Sequence, residues 1–185
     1  MIDLKQLRPE EIRPLKRREY DRLIELGCFE DERIELLSGV LVAKEPQGAY
    51  HSDLMSAIAE DLGARVVGRA RIRVQCPFAA SDDSEPEPDI ALVPNRQYRR
   101  ALPSKALLVV EVAGVSSKRD RTLKAAIYAR GDVQEYWVVD LAAKATYVFR
   151  DRGEGAWASM ISVPWTSPLS PLAFPDIVLR IAELG

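Results

Sequence analysis

Hydrophobic and polar positions follow two different periods along this 185-residue chain. Apolar side chains recur at helical spacing over residues 14–27 and again over residues 51–67, which predicts two amphipathic helices. Between them, the segment ERIELLSGVLVAK contains two short apolar runs around Ser38 and Gly39, and this pattern predicts a hairpin. The first third of the chain is therefore predicted to form a helix, a hairpin and a second helix.

The central part of the chain is dominated by strand patterns. Residues 71–79, RIRVQCPFA, alternate between apolar and polar side chains, as expected for a strand with one solvent-exposed face. Residues 90–93 and 106–112 are nearly continuous apolar runs, which are typical of strands buried on both faces. A helical pattern over residues 120–130 and another buried strand over 135–141 complete this part.

The remaining residues predict strands near 145–150 and 157–163, followed by a Pro-rich loop and a short C-terminal element. From residue 51 onward the order is helix, three strands, helix and strand. This order predicts one α/β or α+β domain over residues 1–185, with a mixed β-sheet covered by helices on at least one face. The N-terminal helix and hairpin and the strand-rich C-terminal extension are additions to that core.

Composition narrows the class of protein. Hydrophobic residues make up 47% and charged residues 29% of the chain, and no apolar run approaches the roughly 20 residues of a membrane span. The charged N-terminus lacks the apolar stretch of a secretory signal, so we expect a cytoplasmic protein with no membrane partner. Two cysteines and one histidine exclude the usual zinc frameworks, and the net charge of -2 gives no global attraction to nucleic acid.

Two acidic residues interrupt the predicted buried strands. Asp89 lies at the start of one apolar run, and Glu111 lies inside the next. Because successive strands are usually neighbours in a sheet, the two carboxylates are predicted to lie close together, where they repel each other and favour a cation. Mg²⁺ suits such a place, since it needs only one or two carboxylates and keeps several waters. For Asp89 alone, a turn-forming residue that bonds its own backbone is the simpler interpretation.

The helix after Glu111 carries a second group of polar residues. Asp120 and Lys124 lie four residues apart on one helical face, and Tyr128 follows one turn later. Considered alone, such a pair is more often a weak surface ion pair. Only a short loop separates the strand of Glu111 from this helix, however, so the first turns of the helix are predicted to face the strand ends.

Four segments in this order resemble the Uma-type family of putative restriction endonucleases, a branch of the PD-(D/E)XK nuclease superfamily: ERIELLSG, EPEPDIALV, LLVVEVAGVSSKRDRTLKAAIYA and EYWVVDL. The resemblance covers roughly residues 20–141. It implies a restriction-endonuclease-like core with Asp89 and Glu111 as acids of the site. The superfamily usually has a lysine two residues after the second acid, where this chain has Ala113. The resemblance assigns that role to Lys124, from the next helix.

The same resemblance implies further site residues. Glu35 matches a family acid, and His51 matches a frequent family histidine, although a hydrogen-bonded residue at a helix start is nearly as good an interpretation. Independently of the resemblance, Asp120 and Tyr128 are candidate neighbours of the site because they share the helical face of Lys124. Arg119 stands where the family often has an aromatic residue.

These residues predict an endonuclease that hydrolyses DNA with Mg²⁺ or Mn²⁺. Asp89, Glu111 and the backbone carbonyl of Val112 would hold the cation, with Glu35 as a further candidate ligand, and Lys124 would support the attacking water. Two alternatives stay open at this point. One is a non-catalytic module on a nuclease-like fold that binds nucleic acid or another partner, and the other is a hydrolase that uses the two carboxylates as acid and base.

The predicted partners are DNA and a second copy of the chain. Local basic clusters are candidates for contacts with a DNA backbone: Arg69, Arg71 and Arg73; Arg96, Arg99 and Arg100; and, beside the predicted site, Lys118, Arg119 and Arg121. Cutting two strands is easiest with two related sites, so a homodimer or higher homo-oligomer is expected. The tail residues predicted to supply apolar surface for it are Tyr147, Phe149, Trp157 and Trp165.

Overall fold

The computed structural model describes residues 8, 11–114 and 117–185 of the chain. Strands within these residues are numbered in chain order: β1 (Ile34–Leu37), β2 (Val40–Ala43), β3 (Ala70–Val74), β4 (Ile90–Pro94), β5 (Lys105–Ala106), β6 (Leu108–Ala113), β7 (Asp132–Val133), β8 (Tyr136–Asp140), β9 (Ala145–Arg152) and β10 (Trp157–Pro164). Two helices, α1 (Arg17–Glu25) and α2 (Ala49–Arg65), precede the centre of the sheet. A third helix, α3, joins three consecutive segments: Ser117–Arg119, Asp120–Lys124 and Ala125–Arg130.

The centre of the molecule is a six-stranded sheet in the order β10-β9-β8-β6-β4-β3. Strands β6 and β8 are parallel, and the other neighbours in this sheet are antiparallel. The hairpin β1-β2 and the short parallel pair β5-β7 are separate two-stranded sheets. The predicted mixed sheet with helices, hairpin and strand-rich tail is therefore confirmed, whereas the assignment of the whole chain to one domain stays a prediction.

Each face of the large sheet is buried under a different set of elements. Val110 and Val112 of β6 belong to a core that includes Leu54 and Ile58 of α2. Val109 and Ala113 belong to a second core that includes residues of α3. Since side chains alternate along a strand, Glu111 points to the same face as Val109 and Ala113, toward α3.

The pairing of β4 with β6 sets the position of the two acids that interrupt the strands. Ile90 lies opposite Val110 in this antiparallel pair. Asp89 directly precedes Ile90, so continuing the same register brings it beside Glu111 at the end of β6. The predicted closeness of the two residues thus follows from strand pairing.

Several predicted boundaries differ from the structure. The strand predicted over residues 71–79 ends at Val74, because Gln75 has a φ of 47° and cannot continue an extended strand. The third helix begins at Ser117 instead of residue 120. The pair β5-β7 has no counterpart in the predictions. No helix of the described residues has the length and apolar character needed to cross a membrane.

Candidate functional site

A cavity of about 400 Å³ opens where β4 begins and β6 ends. Its walls come from the hairpin, the loop before α2, the start of α2 and the first turns of α3. The polar residues that line it are Glu35, Lys44, Glu45, Gln47, His51, Asp89, Glu111, Arg119, Asp120 and Lys124. The cavity therefore brings together Glu35, His51, Asp89, Glu111, Asp120 and Lys124, all of which were candidates from the sequence.

Asp89 is a buried carboxylate surrounded by hydrogen-bond donors. Its Oδ2 accepts a hydrogen bond from the backbone N–H of Val112 at 2.9 Å, and its Oδ1 accepts one from Nε2 of Gln47 at 3.1 Å. Nε2 of His51 lies 3.3 Å from Oδ2. Burial alone favours the neutral acid, but the hydrogen bonds from His51 and Val112 outweigh it and lower the pKa of Asp89. These partners lie far along the chain, unlike those of a residue that only forms a local turn.

His51 connects Asp89 to the end of β6. Its Nε2 lies 2.6 Å from the carbonyl oxygen of Val112 as well as 3.3 Å from Asp89. Because both neighbours are acceptors, Nε2 carries the proton in this arrangement. The hydrogen bond to Asp89 raises the pKa of His51, and its Nδ1 is buried without a hydrogen-bond partner. His51 thus contacts Asp89 and the Val112 carbonyl directly and is not only a residue at a helix start.

Glu111 is a second buried carboxyl group of the cavity. Its Oε1 accepts hydrogen bonds from Nζ of Lys124 at 2.9 Å and from the hydroxyl of Tyr128 at 3.0 Å. Burial, together with the negative charges of Asp89 and Asp120, raises the pKa of Glu111 to about 8, although the positive charge of Lys124 lowers it. In the absence of a bound metal cation, the surroundings of Glu111 therefore disfavour its ionised form, even with Lys124 nearby.

Lys124 is held between two acids from different elements. Its Nζ lies 3.1 Å from Oε1 of Glu35 in β1, in addition to its contact with Glu111. Burial by itself would lower the pKa of Lys124, but the negative charges of Glu111 and Glu35 outweigh burial and raise it. The lysine is therefore an ammonium ion at neutral pH. Lys44, after β2, lies 3.5 Å from the same oxygen of Glu35.

The irregular geometry of α3 determines which of its side chains reach the cavity. Residues Asp120–Lys124 form a π-helical segment between two α-helical segments. Such segments are rare, and they occur often at functional sites because they shift the following side chains around the helix. Asp120, Lys124 and Tyr128 are all buried on the inner side of α3. A lysine of this helix thereby reaches Glu111 although position 113 is an alanine.

The sequence gives little signal for the residues that orient Asp89. Nε2 of Gln75 donates a hydrogen bond to Oε1 of Gln47 at 2.8 Å, and Gln47 in turn donates to Asp89. Both glutamines lie in loops, where no hydrophobic period marks a position as internal. Lys44 was also missed, and its place in the same hairpin as Glu35 was the available clue.

The donor atoms at this place fit a hard divalent cation. The candidates are carboxylate oxygens of Asp89 and Glu111, the carbonyl oxygen of Val112 and Nε2 of His51. Two carboxylates and a carbonyl suit Mg²⁺ or Mn²⁺, with water in the other positions. Across the described residues, no group of three or more His, Cys, Asp and Glu side chains has the arrangement of a metal site. The fit consequently depends on the backbone carbonyl of Val112.

Two of the predicted basic clusters lie away from the cavity, and some of their side chains contact other residues of the chain. Arg69 pairs with Asp176 at 2.6 Å. The guanidinium groups of Arg73 and Arg96 lie 5.9 and 5.1 Å from the ring centre of Tyr98. Tyr98 follows the C-terminal end of β4, whereas Asp89 precedes its N-terminal end. The third cluster, Lys118, Arg119 and Arg121, lies at the start of α3 beside the cavity.

Comparison with known proteins identifies the family of this chain. The model of the Uma2 family, described as "Putative restriction endonuclease", matches residues 17–182. The chain therefore belongs to this family of restriction-endonuclease-like proteins. A search of curated proteins gave no match.

The solved structures that are similar to this chain include the following two. The first is the crystal structure of a "putative nuclease belonging to DUF820" from Anabaena variabilis ATCC 29413, with 16% sequence identity and a TM-score of 0.68 over 82% of this chain and 88% of that one. The second is the type IIG restriction endonuclease BpuSI, with 19% identity and a TM-score of 0.43 over 80% of this chain and 18% of that one. At such identity, the first similarity shows a shared fold.

Proposed function

We propose that this protein is an endonuclease that hydrolyses phosphodiester bonds in DNA with Mg²⁺ or Mn²⁺. The observation that carries the proposal is the convergence of Asp89, Glu111, the Val112 carbonyl and Lys124 in one cavity. Its support from comparison is membership of the Uma2 family, described as "Putative restriction endonuclease". Asp89, Glu111 and the Val112 carbonyl would hold the cation, with Glu35 nearby as a further acid.

The residues around the cavity have separate tasks in this proposal. When bound, the cation supplies Lewis-acid polarisation of the phosphate and acidifies a water molecule. Lys124 orients the attacking water and offsets the negative charge that develops on the phosphate oxygens. Glu35 and Tyr128 keep Lys124 and Glu111 in place, since each makes a hydrogen bond to one of them. Gln47 orients Asp89.

His51 adds a preference between the two cations. Its Nε2 is close to both Asp89 and the Val112 carbonyl, so the same nitrogen, once deprotonated, is a candidate ligand. Imidazole is a poor ligand for Mg²⁺, which prefers oxygen, and a better one for transition metals. We therefore expect Mn²⁺ to bind more tightly than Mg²⁺.

Cleavage of plasmid DNA tests the proposal directly. Supercoiled plasmid is incubated with the wild-type protein in Mn²⁺, Mg²⁺ or EDTA, and nicked and linear products are measured. Asp89→Asn and Glu111→Gln should each abolish cleavage, whereas Glu45→Gln, which changes an exposed acid of the same cavity, should retain it. A folded Asp89→Asn variant that cleaves at the wild-type rate would place the reaction elsewhere. Wild-type protein that binds DNA without cleaving it would instead favour the non-catalytic alternative.

We also propose that two copies associate through β10. This eight-residue strand forms one edge of the large sheet and contains no charged residue. Met160 and Ile161 are 53% and 51% exposed. Edge strands that stay unpaired are usually protected by charges, as β3 at the other edge is by Arg71 and Arg73, and β10 has no such protection. Antiparallel pairing of two β10 strands about a two-fold axis would extend the sheet across the dimer.

The tail residues predicted to supply the dimer surface expose less apolar area than expected. Phe149 and Trp165 are buried in the cores of the same chain, and Tyr147 and Trp157 are half-buried. In light scattering, the double variant Met160→Lys/Ile161→Lys should be a monomer. The control is Val67→Lys, which changes an exposed apolar position after α2 and should remain a dimer. A wild-type monomer at micromolar concentration would contradict the proposed association.

A further inference from the structure

The two lysines that line the cavity are both engaged by acids. Nζ of Lys124 lies within 2.9 and 3.1 Å of Glu111 and Glu35. Nζ of Lys44 lies 3.5 Å from Glu35 and 3.3 Å from Glu87, and it also donates a hydrogen bond to the Glu87 carbonyl at 2.9 Å. Their positive charges stabilise these carboxylates before any substrate is present.

Arg119 differs from both lysines. It is half-buried and lines the same cavity, in the first segment of α3. Its Nε is buried and has no hydrogen-bond partner, and its guanidinium makes no ion pair with an acid within the part of the chain that the structure describes. A buried N–H group without an acceptor costs free energy, so an unmatched donor beside a cavity suggests that a ligand completes it.

The charge of the cavity makes such a donor important. Five carboxylates line it, against three Lys and Arg side chains. A DNA phosphate is an anion and is repelled by this excess of negative charge. A divalent cation removes part of the repulsion, and an arginine that is not neutralised by a neighbouring acid supplies the rest.

We propose that Arg119 binds the scissile phosphate of DNA, with Nε and a terminal nitrogen each donating to one nonbridging oxygen. Planar guanidinium groups match phosphate oxygens in this bidentate way, and an ammonium group does not. Arg119 is thereby a further catalytic residue of the proposed nuclease reaction, and this inference rests on that proposed function.

Three variants test the role of Arg119. Arg119→Gln removes the charge, Arg119→Lys keeps the charge without the bidentate geometry, and Arg22→Gln makes the same charge change at an exposed residue of α1 outside the cavity. Cleavage of a duplex oligonucleotide is measured under single-turnover conditions in Mn²⁺. The rise in melting temperature on adding Mn²⁺ without DNA reports whether each variant is folded and binds the metal.

The expected pattern separates Arg119 from an arginine outside the cavity. Arg119→Gln should lower the cleavage rate by about 100-fold or more, as for loss of a group that stabilises transition-state charge. Arg119→Lys should recover only part of that rate, and Arg22→Gln should stay within about twofold of wild type, since Arg22 does not line the cavity. All three should keep the response to Mn²⁺. Wild-type cleavage by Arg119→Gln would overturn the proposal, and so would wild-type cleavage by Arg119→Lys if the glutamine variant fails to fold.

A binding measurement distinguishes failure of this inference from failure of the proposed function. Fluorescence anisotropy gives the affinity of each variant for the same duplex with Ca²⁺ in place of Mn²⁺. If the wild type binds DNA but does not cleave it, the nuclease proposal fails, and Arg119 is then judged by affinity alone. Arg119→Gln should bind the duplex at least about tenfold more weakly than Arg22→Gln, and equal affinities would overturn the role of Arg119 in phosphate binding.

Discussion

Nζ of Lys124 lies 2.9 Å from Oε1 of Glu111, although the lysine belongs to α3 and the glutamate to β6. The contact joins the proposed catalytic lysine to a proposed metal ligand through space and not through adjacent positions of one strand. It brings a lysine to Glu111 although position 113 is an alanine.

Replacing Lys124 by methionine should separate catalysis from metal binding. Its ammonium group cannot ligate a cation, so Mn²⁺ should still raise the melting temperature, while single-turnover cleavage falls by roughly 10²–10³-fold. The metal-free variant should also lose roughly 3–5 kcal/mol of stability, because the buried carboxyl of Glu111 loses its positively charged partner and Glu35 keeps only Lys44. Calorimetry that showed lost Mn²⁺ binding together with intact turnover would contradict the assignment.

Asp89→Asn should make the metal-free protein less stable. Repulsion between converging acids leads one to expect the opposite, but the hydrogen bonds that Asp89 accepts favour its charged form and lower its pKa. An asparagine has one side-chain oxygen, so a donor among Val112, Gln47 and His51 would face an NH₂ group, at a cost of about 1–3 kcal/mol. Thermal unfolding in EDTA measures this, with Glu45→Gln as the control, and a higher melting temperature for Asp89→Asn would show that repulsion dominates.

His51→Ala should weaken Mn²⁺ binding more than Mg²⁺ binding. If Nε2 is a ligand, its loss matters most for the cation that accepts nitrogen, and we expect the Kd for Mn²⁺ to rise by about tenfold or more. Titration calorimetry with both cations gives the two ratios, and Ser52→Ala, at the next residue of α2, is the matched control. Equal losses for the two cations would indicate that His51 acts only by holding Asp89 and the Val112 carbonyl.

Glu85 provides a pH-dependent test outside the cavity. Burial and the charge of Asp21 raise the pKa of Glu85 from 4.5 to about 7, and its Oε2 is buried without a hydrogen bond. A raised pKa in the folded state means that the contribution of Glu85 to stability is present below about pH 4.5 and is lost as pH rises through 7. Glu85→Gln should therefore gain stability relative to wild type as the pH increases from 5 to 8.

Chemical unfolding at several pH values in EDTA measures this difference in the free energy of unfolding. Glu45→Gln, at an exposed position, should show the wild-type pH dependence. A constant difference between wild type and Glu85→Gln from pH 5 to pH 8 would mean that Glu85 is ionised throughout this range.

The acids of the site could be predicted from the sequence because a carboxylate inside an apolar strand is costly. Asp89 and Glu111 break such runs, and the order of the strands predicts that they meet. Lys124 gives a weaker signal, since a helical Asp-Lys pair is common on protein surfaces. Its role was suggested by the resemblance, and its path to Glu111 depends on a π-helical segment that no residue pattern indicates.

Other features left no periodic pattern to interpret. Gln47 and Gln75 lie in loops, and their amides act through hydrogen bonds that appear only when the loops meet. The two-residue strands β5 and β7 are too short to show alternation. For Phe149, an apolar position in a strand shows that one face is buried but not whether the same chain or a second copy covers it.

The central claim is that one cation binds at Asp89, Glu111 and the Val112 carbonyl and that DNA is cleaved there. Anomalous diffraction from a crystal grown with Mn²⁺ tests it most directly, since the signal locates the metal without reference to activity. We expect an anomalous peak within coordination distance of Asp89, Glu111 and the carbonyl oxygen of Val112. A crystal without a peak at this place, from protein that cleaves DNA in the same Mn²⁺ solution, would contradict it.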